Sequence, residues 1–244
     1  TLGLVGESGS GKSLTAMALM GLLPLIGGRV SGGSVRFDGT ELVGLPEDRY
    51  RALRGHRMAL ITQNPMTSLD PMLRVGAQID QVGILHRGLT ATKARERSIE
   101  LLTQLRIPDA ATVHGQYPHQ MSGGMKQRIV IAMALAGDPE LIIADEPTTA
   151  LDVTIQRQIL ELIAEIQRKH RMSVLFISHD LGVVGEIADE VLVMRHGVLR
   201  EQGPVAEIFA RPKDAYTQAL LACRPSLSHN PARLTVIDDH IAGR

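Results

Sequence analysis

Residues 2–20 read LGLVGESGSGKSLTAMALM, and this stretch decides the fold. Apolar residues at its start predict a short strand, and apolar residues at helical spacing near its end predict a helix. Between them the pattern G-x-x-x-x-G-K-[ST] is formed by Gly6, Glu7, Ser8, Gly9, Ser10, Gly11, Lys12 and Ser13. Glycines let backbone N–H groups curl around a phosphate, and the amino end of a helix adds partial positive charge. A glycine loop can simply connect two elements, but this context favours a phosphate-binding loop.

Two side chains at the end of this loop predict its chemistry. We expect Lys12 to reach the β- and γ-phosphates of a nucleotide, and the Ser13 hydroxyl to ligate Mg²⁺. The sequence therefore predicts a site for a nucleoside triphosphate and magnesium.

The composition excludes several other classes of protein. The chain has 244 residues, 44% of them hydrophobic, which is enough for a packed interior. Its 26 basic and 26 acidic residues give no net charge, so no basic field is present to hold nucleic acid. The single cysteine, Cys223, excludes an internal disulfide framework and a four-cysteine metal site. The sequence has no run of about 18 apolar residues, the minimum for a membrane span.

Alternating strand and helix patterns predict an α/β fold with a doubly wound, mainly parallel sheet. Continuous apolar runs after residue 140 are typical of buried parallel strands. A turn at Asp38-Gly39 predicts a small antiparallel β piece, and helical spacing from 64 to 137 predicts an inserted helical subdomain. We expect a core at 1–63 and 138–203, and a tail at 204–244 that frays after about Leu227. Because Thr1 lies directly before the first strand, we expect this core to be incomplete at its amino end.

Polar side chains follow several predicted strands. Asp145 and Glu146 come directly after a buried strand, and residues at the carboxyl ends of parallel strands line the ligand crevice of such sheets. We expect Asp145 to hold Mg²⁺ through water, and Glu146 to polarise the water that attacks the γ-phosphate. Gln63 can supply an amide oxygen to Mg²⁺ or to that water, and His179 can contact the γ-phosphate. The acids could instead cap the next turn, and a lone histidine is more often structural.

A second anion-binding helix end is predicted at Ser122-Gly123-Gly124. Ser122 is a good N-cap, and the two glycines expose the first amides of the helix that follows. An ordinary capped helix would also have this sequence. One nucleotide cannot easily use two helix ends of one chain, so we expect a head-to-tail dimer in which each Ser-Gly-Gly closes over the partner's nucleotide.

The order of these motifs resembles the ATP-binding subunit of ABC transporters, from residue 1 to about 222. By this resemblance Gly6–Ser13 is the Walker A loop, Gln63 the Q-loop and Ser122-Gly123-Gly124 the signature. It also implies that Asp145-Glu146 is the Walker B aspartate with the catalytic glutamate, that Asp152 belongs to the D-loop and binds nucleotide, and that His179 is the switch histidine. The resemblance further implies that the core is a RecA-like P-loop NTPase core, and that its ligands are ATP and Mg²⁺.

Further segments are similar to the dipeptide, oligopeptide and nickel (glutathione-type) importer group. These segments are 63–71, 117–120 and 215–221, while 224–239 is similar to the connector after the first half of a fused two-ATPase subunit. The group implies a peripheral ATPase at the cytoplasmic face of the inner membrane. Its expected partners are membrane-spanning permease subunits, a second ATP-binding domain and, indirectly, an extracytoplasmic solute-binding protein, with no nucleic acid. A soluble ABC ATPase acting on ribosomes or DNA, and a non-catalytic nucleotide-binding half, are the alternatives.

Overall fold

A computed structural model describes residues 1–149 and 151–223. The strands are β1 (Leu2–Val5), β2 (Arg36–Phe37), β3 (Thr40–Glu41), β4 (Met58–Ile61), β5 (Leu141–Asp145), β6 (Ser173–Ser178), β7 (Glu190–Arg195) and β8 (Val198–Pro204). The helices are α1 (Lys12–Leu19), α2 (Glu47–Leu53), α3 (Pro65–Ser68), α4 (Val75–Arg87), α5 (Ala91–Gln104), α6 (Ala110–His114), α7 (Gly123–Ala136), α8 (Val153–His170), α9 (Leu181–Ile187), α10 (Val205–Ala210) and α11 (Ala215–Ala222). Short 3-10 turns lie at Leu23–Ile26 and Pro118–Gln120.

The chain divides into two compact units. One unit comprises Thr1–Ser13 together with the chain from Leu175 onward, and the other is Leu14–Val174. The bounds expected for the core, the helical subdomain and the tail stay a prediction. The frayed end after Leu227 and the connector-like segment lie outside the described residues.

In the first unit, β1 is the central strand of a mainly parallel sheet. It pairs with β6, from Leu2 opposite Leu175 to Val5 opposite Ser178, and on its other side with β7. Helix α9 covers this strand so closely that a Cβ on Gly3 would lie 2.2 Å from Val184 Cγ1. Most apolar residues of these strands are buried, as the continuous apolar runs predict.

Strand β8 is an element that the sequence analysis does not predict. It pairs antiparallel with β7 across a turn in which His196 and Gly197 both have positive φ, at 48° and 77°. Its sequence, VLREQGP, has neither apolar alternation nor a continuous apolar run, and all of its residues are exposed or half-buried. The pairing therefore depends on the turn and the neighbouring strand.

The second unit combines a parallel strand pair, a hairpin and most of the helices. Strands β4 and β5 run parallel, with Met58 opposite Leu141 and Ile61 opposite Ala144. Strands β2 and β3 form the expected antiparallel piece. The turn at Asp38 and Gly39 has φ values of 48° and 74°, both left-handed, as this dipeptide favours.

Helices α3–α7 occupy the stretch where helical spacing replaces strand patterns, and α4, α5 and α7 pack against one another. Their fully buried side chains include Ile79, Leu101, Leu102, Ile129 and Ile131, and the C-cap residue of α5, Leu105, is fully buried as well. In α8 one apolar stripe is buried, at Ile159, Leu162, Ile163 and Ile166. None of the described helices combines the length and apolar character that a membrane crossing requires.

Candidate functional site

The glycine loop at residues 6–11 lies between β1 and α1, as predicted. Gly9 and Gly11 have φ values of 80° and 101°, a region that residues with a Cβ avoid. A Cβ on Gly6 would lie 2.1 Å from Met194 O, so this position admits no side chain. Ser8, Gly9 and Ser13 are exposed, so this face of the loop is open to a ligand.

Lys12 is the first residue of α1, and its side chain folds back over the loop. Its Nζ donates to Gly6 O at 2.8 Å and to Glu7 O at 2.9 Å, and lies 3.5 Å from Ser10 Oγ. The residue is only 4% exposed. The Lys12 side chain is therefore enclosed by the loop that the sequence predicts to bind phosphate.

His179 lies at the same strand edge as this loop. Strands β1 and β6 are parallel with Val5 opposite Ser178, so Gly6 and His179 follow them in register. The His179 side chain is exposed. Asp180, which comes next, caps α9 by accepting hydrogen bonds from the Gly182 and Val183 N–H groups at 2.7 and 3.4 Å.

In the second unit the ends of β4 and β5 bring the predicted polar residues together. Asp145 ends β5, and Glu146 follows with a left-handed φ of 49°. The Gln63 amide, two residues beyond β4, donates from Nε2 to Glu146 Oε2 at 3.0 Å. This contact joins residues 83 positions apart in the sequence, as parallel pairing of β4 with β5 requires.

Thr149 is a residue of this cluster that the sequence analysis does not identify. Its Oγ1 donates to the same Glu146 Oε2 at 2.8 Å, and its N–H reaches Glu146 O at 3.3 Å. Two donors therefore hold one carboxylate oxygen of Glu146. A threonine three residues after an acid is too common a pattern to indicate this contact from sequence.

The Ser122-Gly123-Gly124 segment begins α7. The predicted N-cap is present, since Ser122 Oγ accepts from the Met125 N–H at 3.3 Å, and Ser122 and Gly123 are exposed. Gly124 packs against α8, because a Cβ there would lie 2.9 Å from Ile155 Cγ2. Asp152 caps α8 by accepting from the Ile155 N–H at 3.0 Å. Ile155 thus links the start of α7 with the Asp152 cap.

The predicted magnesium ligands all carry oxygen, the donor atom that Mg²⁺ prefers in proteins. They are the exposed Ser13 hydroxyl in the first unit, and the half-buried Asp145 carboxylate and the Gln63 amide in the second. Because Gln63 Nε2 donates to Glu146, the amide oxygen is the atom that would face a cation. The residue types fit a hydrated Mg²⁺.

The chain is similar to known proteins over nearly its whole length. The profile of the family described as ABC transporter matches residues 1–149. A Brucella abortus protein named for peptide import and ATP binding is 51% identical over 241 residues, 99% of this chain and 72% of the relative. A dipeptide transport ATP-binding protein of Bacillus subtilis is 49% identical over 98% of this chain and 71% of its own length.

Solved structures of the same fold confirm the predicted fold class. A dimeric ATP-binding cassette in a post-hydrolysis state, bound to ADP and phosphate, has a TM-score of 0.73 at 26% identity, covering 84% of each chain. A Clostridium perfringens protein that is part of an ABC transporter complex also has a TM-score of 0.73 at 26% identity, covering 86% of this chain and 79% of its own. The chain belongs to the ABC transporter family and has the fold of its ATP-binding cassettes.

Proposed function

We propose that this chain binds and hydrolyses ATP and energises an importer for peptides or similar small solutes. The observation that carries the ATPase activity is the Glu146 carboxylate, held by Gln63 and Thr149 directly after β5. A carboxylate at this edge can take a proton from an attacking water. The peptide substrate class is supported by the names of relatives at about half identity over most of their length.

The loop and Lys12 would bind the phosphates, and His179 would contact the γ-phosphate from the same strand edge. Ser13, Asp145 and Gln63 would hold Mg²⁺, which when bound neutralises charge on the phosphate oxygens. Glu146 would receive the proton of the attacking water.

A second copy, or a second ATP-binding domain, would complete the site. The exposed amino end of α7 at Ser122 and Gly123 would close on the nucleotide held by the partner's loop, with Asp152 beside it. The solved cassette bound to ADP and phosphate is dimeric, which supports this arrangement. Permease subunits at the cytoplasmic face of the membrane would respond to this closure of the dimer on ATP.

Replacing Glu146 by glutamine tests the activity. Glutamine keeps the size of the side chain and an oxygen for the Gln63 and Thr149 donors, but it cannot take a proton. We expect Glu146→Gln to lower phosphate release by about 100-fold or more, while ATP stays bound in a persistent dimer. Glu161→Gln, an exposed change on α8, should leave both unchanged.

Phosphate release and light scattering with ATP measure these two outcomes. Undiminished hydrolysis by Glu146→Gln would remove Glu146 from the base role. A labelled-dipeptide uptake assay, in cells with and without this chain, tests the import function separately, and equal uptake would refute it.

A further inference from the structure

The last described helix reaches back to the phosphate loop through a tyrosine. Tyr216 lies in the first turn of α11, is 1% exposed, and its hydroxyl accepts a hydrogen bond from the Glu7 N–H at 3.1 Å. The two residues are 209 positions apart and belong to the same unit. Burial raises the pKa of the Tyr216 phenol above its ordinary value, against the opposing effect of the Glu7 N–H, so the hydroxyl is neutral at physiological pH.

The position of this tyrosine is set by the strands beneath it. Asp214 caps α11 by accepting from the Tyr216 N–H at 2.8 Å, and it pairs with Arg200 of β8 at 3.0 Å. Glu201, the next residue of β8, accepts from the Asp214 N–H at 3.1 Å. The Arg195 guanidinium stacks over the Tyr216 ring at 4.9 Å. The helix cap fixes the backbone of Tyr216 and Arg195 covers its ring, so the hydroxyl has little freedom to move.

One peptide group of the loop is held at both of its ends. Gly6 O and Glu7 N belong to the same planar unit, so they point in opposite directions. Gly6 O accepts from Lys12 Nζ at 2.8 Å, while Glu7 N donates to the Tyr216 hydroxyl. Rotating this peptide would break both contacts together. Tyr216 therefore controls the orientation of a carbonyl that holds the Lys12 ammonium.

We propose that Tyr216 is a positioning residue for ATP binding, acting through the Gly6–Glu7 peptide on the phosphate loop and Lys12. The proposal rests on the ATP-binding function proposed above. The proposal also predicts that loss of this contact affects the KM for ATP more than kcat. The reason is that a contact which shapes the loop before ATP binds contributes to binding more than to the chemical step. The group responsible is the Tyr216 hydroxyl, which accepts from the Glu7 N–H and also interacts with the Glu7 side chain.

Tyr216→Phe removes this hydroxyl and leaves the ring in place. Because this hydrogen bond stabilises the loop conformation that binds ATP, we expect the KM for ATP to rise about three- to tenfold when it is lost. The kcat should stay within about twofold of that of the unchanged protein. Tyr50→Phe is the matched control, because Tyr50 is also buried, at 7% exposed, and lies beneath an arginine, Arg54, at 5.1 Å. We expect its KM to match that of the unchanged protein.

Steady-state ATP hydrolysis and calorimetric binding of a slowly hydrolysed ATP analogue separate the possible outcomes. Equal KM values for Tyr216→Phe and Tyr50→Phe, with normal binding in both, would overturn this inference alone. Failure of the unchanged protein to bind the analogue would overturn the ATP-binding function and this inference with it. A fall in kcat at constant KM would also contradict a role in loop positioning.

Hydrogen exchange in the unchanged protein gives a test that needs no variant. The Glu7 amide should exchange more slowly than the amide of the exposed neighbour Ser8, because it is bonded to the buried phenol. If the two amides exchange at the same rate, Tyr216 does not hold the loop, whether or not Tyr216→Phe folds.

Discussion

The Glu146 side chain starts from a backbone conformation that is unusual for a residue with a Cβ. Its φ of 49° lies in the left-handed region, which costs of the order of 1 kcal/mol or more outside glycine. Parallel pairing holds β5 up to Ala144, and the chain turns immediately afterwards. The Gln63 and Thr149 contacts then select one direction for the carboxylate. Local strain and two hydrogen bonds together orient the proposed base.

Thr149→Val removes one of these two donors at nearly constant size. We expect kcat for ATP hydrolysis to fall about tenfold, because a hydrogen bond to a charged group stabilises its orientation by roughly 1.5 kcal/mol or more. The KM for ATP should change little. Steady-state hydrolysis measures both values.

Thr103→Val is the matched control, since Thr103 is exposed on α5 and its hydroxyl donates to Ile99 O of the same helix at 2.8 Å. A Thr149→Val variant with the kcat of this control would show that the Thr149 hydroxyl does not orient Glu146.

The β2–β3 hairpin is an element held together largely by one acidic side chain. The Glu41 carboxylate accepts from the Ser34 hydroxyl and from the Val35 and Val43 N–H groups, the last two at 2.9 and 3.0 Å. With two residues in each strand, the hairpin has few ladder hydrogen bonds of its own. The three donors, led by Ser34, lower the pKa of Glu41 from 4.5 to about 2.

This lowered pKa predicts how the hairpin responds to acid. Between about pH 4.5 and about pH 2, the Glu41 carboxyl binds a proton more readily in the unfolded chain than in the folded chain. The Glu41 carboxylate therefore stabilises the folded hairpin fully above about pH 4.5, and this stabilisation is lost as the pH falls toward 2. We expect the hydrogen-exchange protection of the Val35 and Val43 amides, corrected for intrinsic rates, to fall over this range.

In Glu41→Gln these two amides should be less protected at pH 6, and their protection should vary much less with pH. Glu96→Gln, an exposed change on α5, should behave as the unchanged protein does. Equal pH dependence in Glu41→Gln and the unchanged protein would contradict the assignment to Glu41.

At the scale of the whole chain, the second unit depends on a close backbone crossing. A Cβ on Gly137, at the end of α7, would lie 1.6 Å from Gly55 O and 2.7 Å from the carbon of that carbonyl. Arg57 lies two residues after Gly55, and its guanidinium donates to Glu140 at 2.6 Å and to Asp38 at 2.7 Å. Since φ of Gly137 is −80°, its requirement for glycine is one of space and not of conformation.

Gly137→Ala should therefore lower the free energy of unfolding by about 3 kcal/mol, because backbone cannot move aside as a flexible side chain can. Gly32→Ala is the matched control, since a Cβ there meets no atom within 4 Å, and we expect a change below about 0.5 kcal/mol. Denaturant unfolding measures both values. Equal stability of the two variants would show that the crossing relaxes without cost.

The sequence alone determined the elements whose signals are local. The strand–loop–helix at 2–20, the acids after β5, the Ser122 cap and the hairpin turn were all readable, because hydrophobic period, glycine conformation and capping act within a few residues. That Gln63 and Glu146 each follow an apolar strand was also readable from the sequence.

Only the tertiary structure decided the contacts between remote residues. Strand β8 forms because β7 lies beside it, Thr149 matters because Glu146 turns left-handed, and Tyr216 reaches a loop 209 residues earlier. Neither the Thr149 contact nor the Tyr216 contact has a local pattern of its own. Each depends on which buried donor or acceptor meets which partner after the chain has packed, and composition and spacing do not specify that pairing.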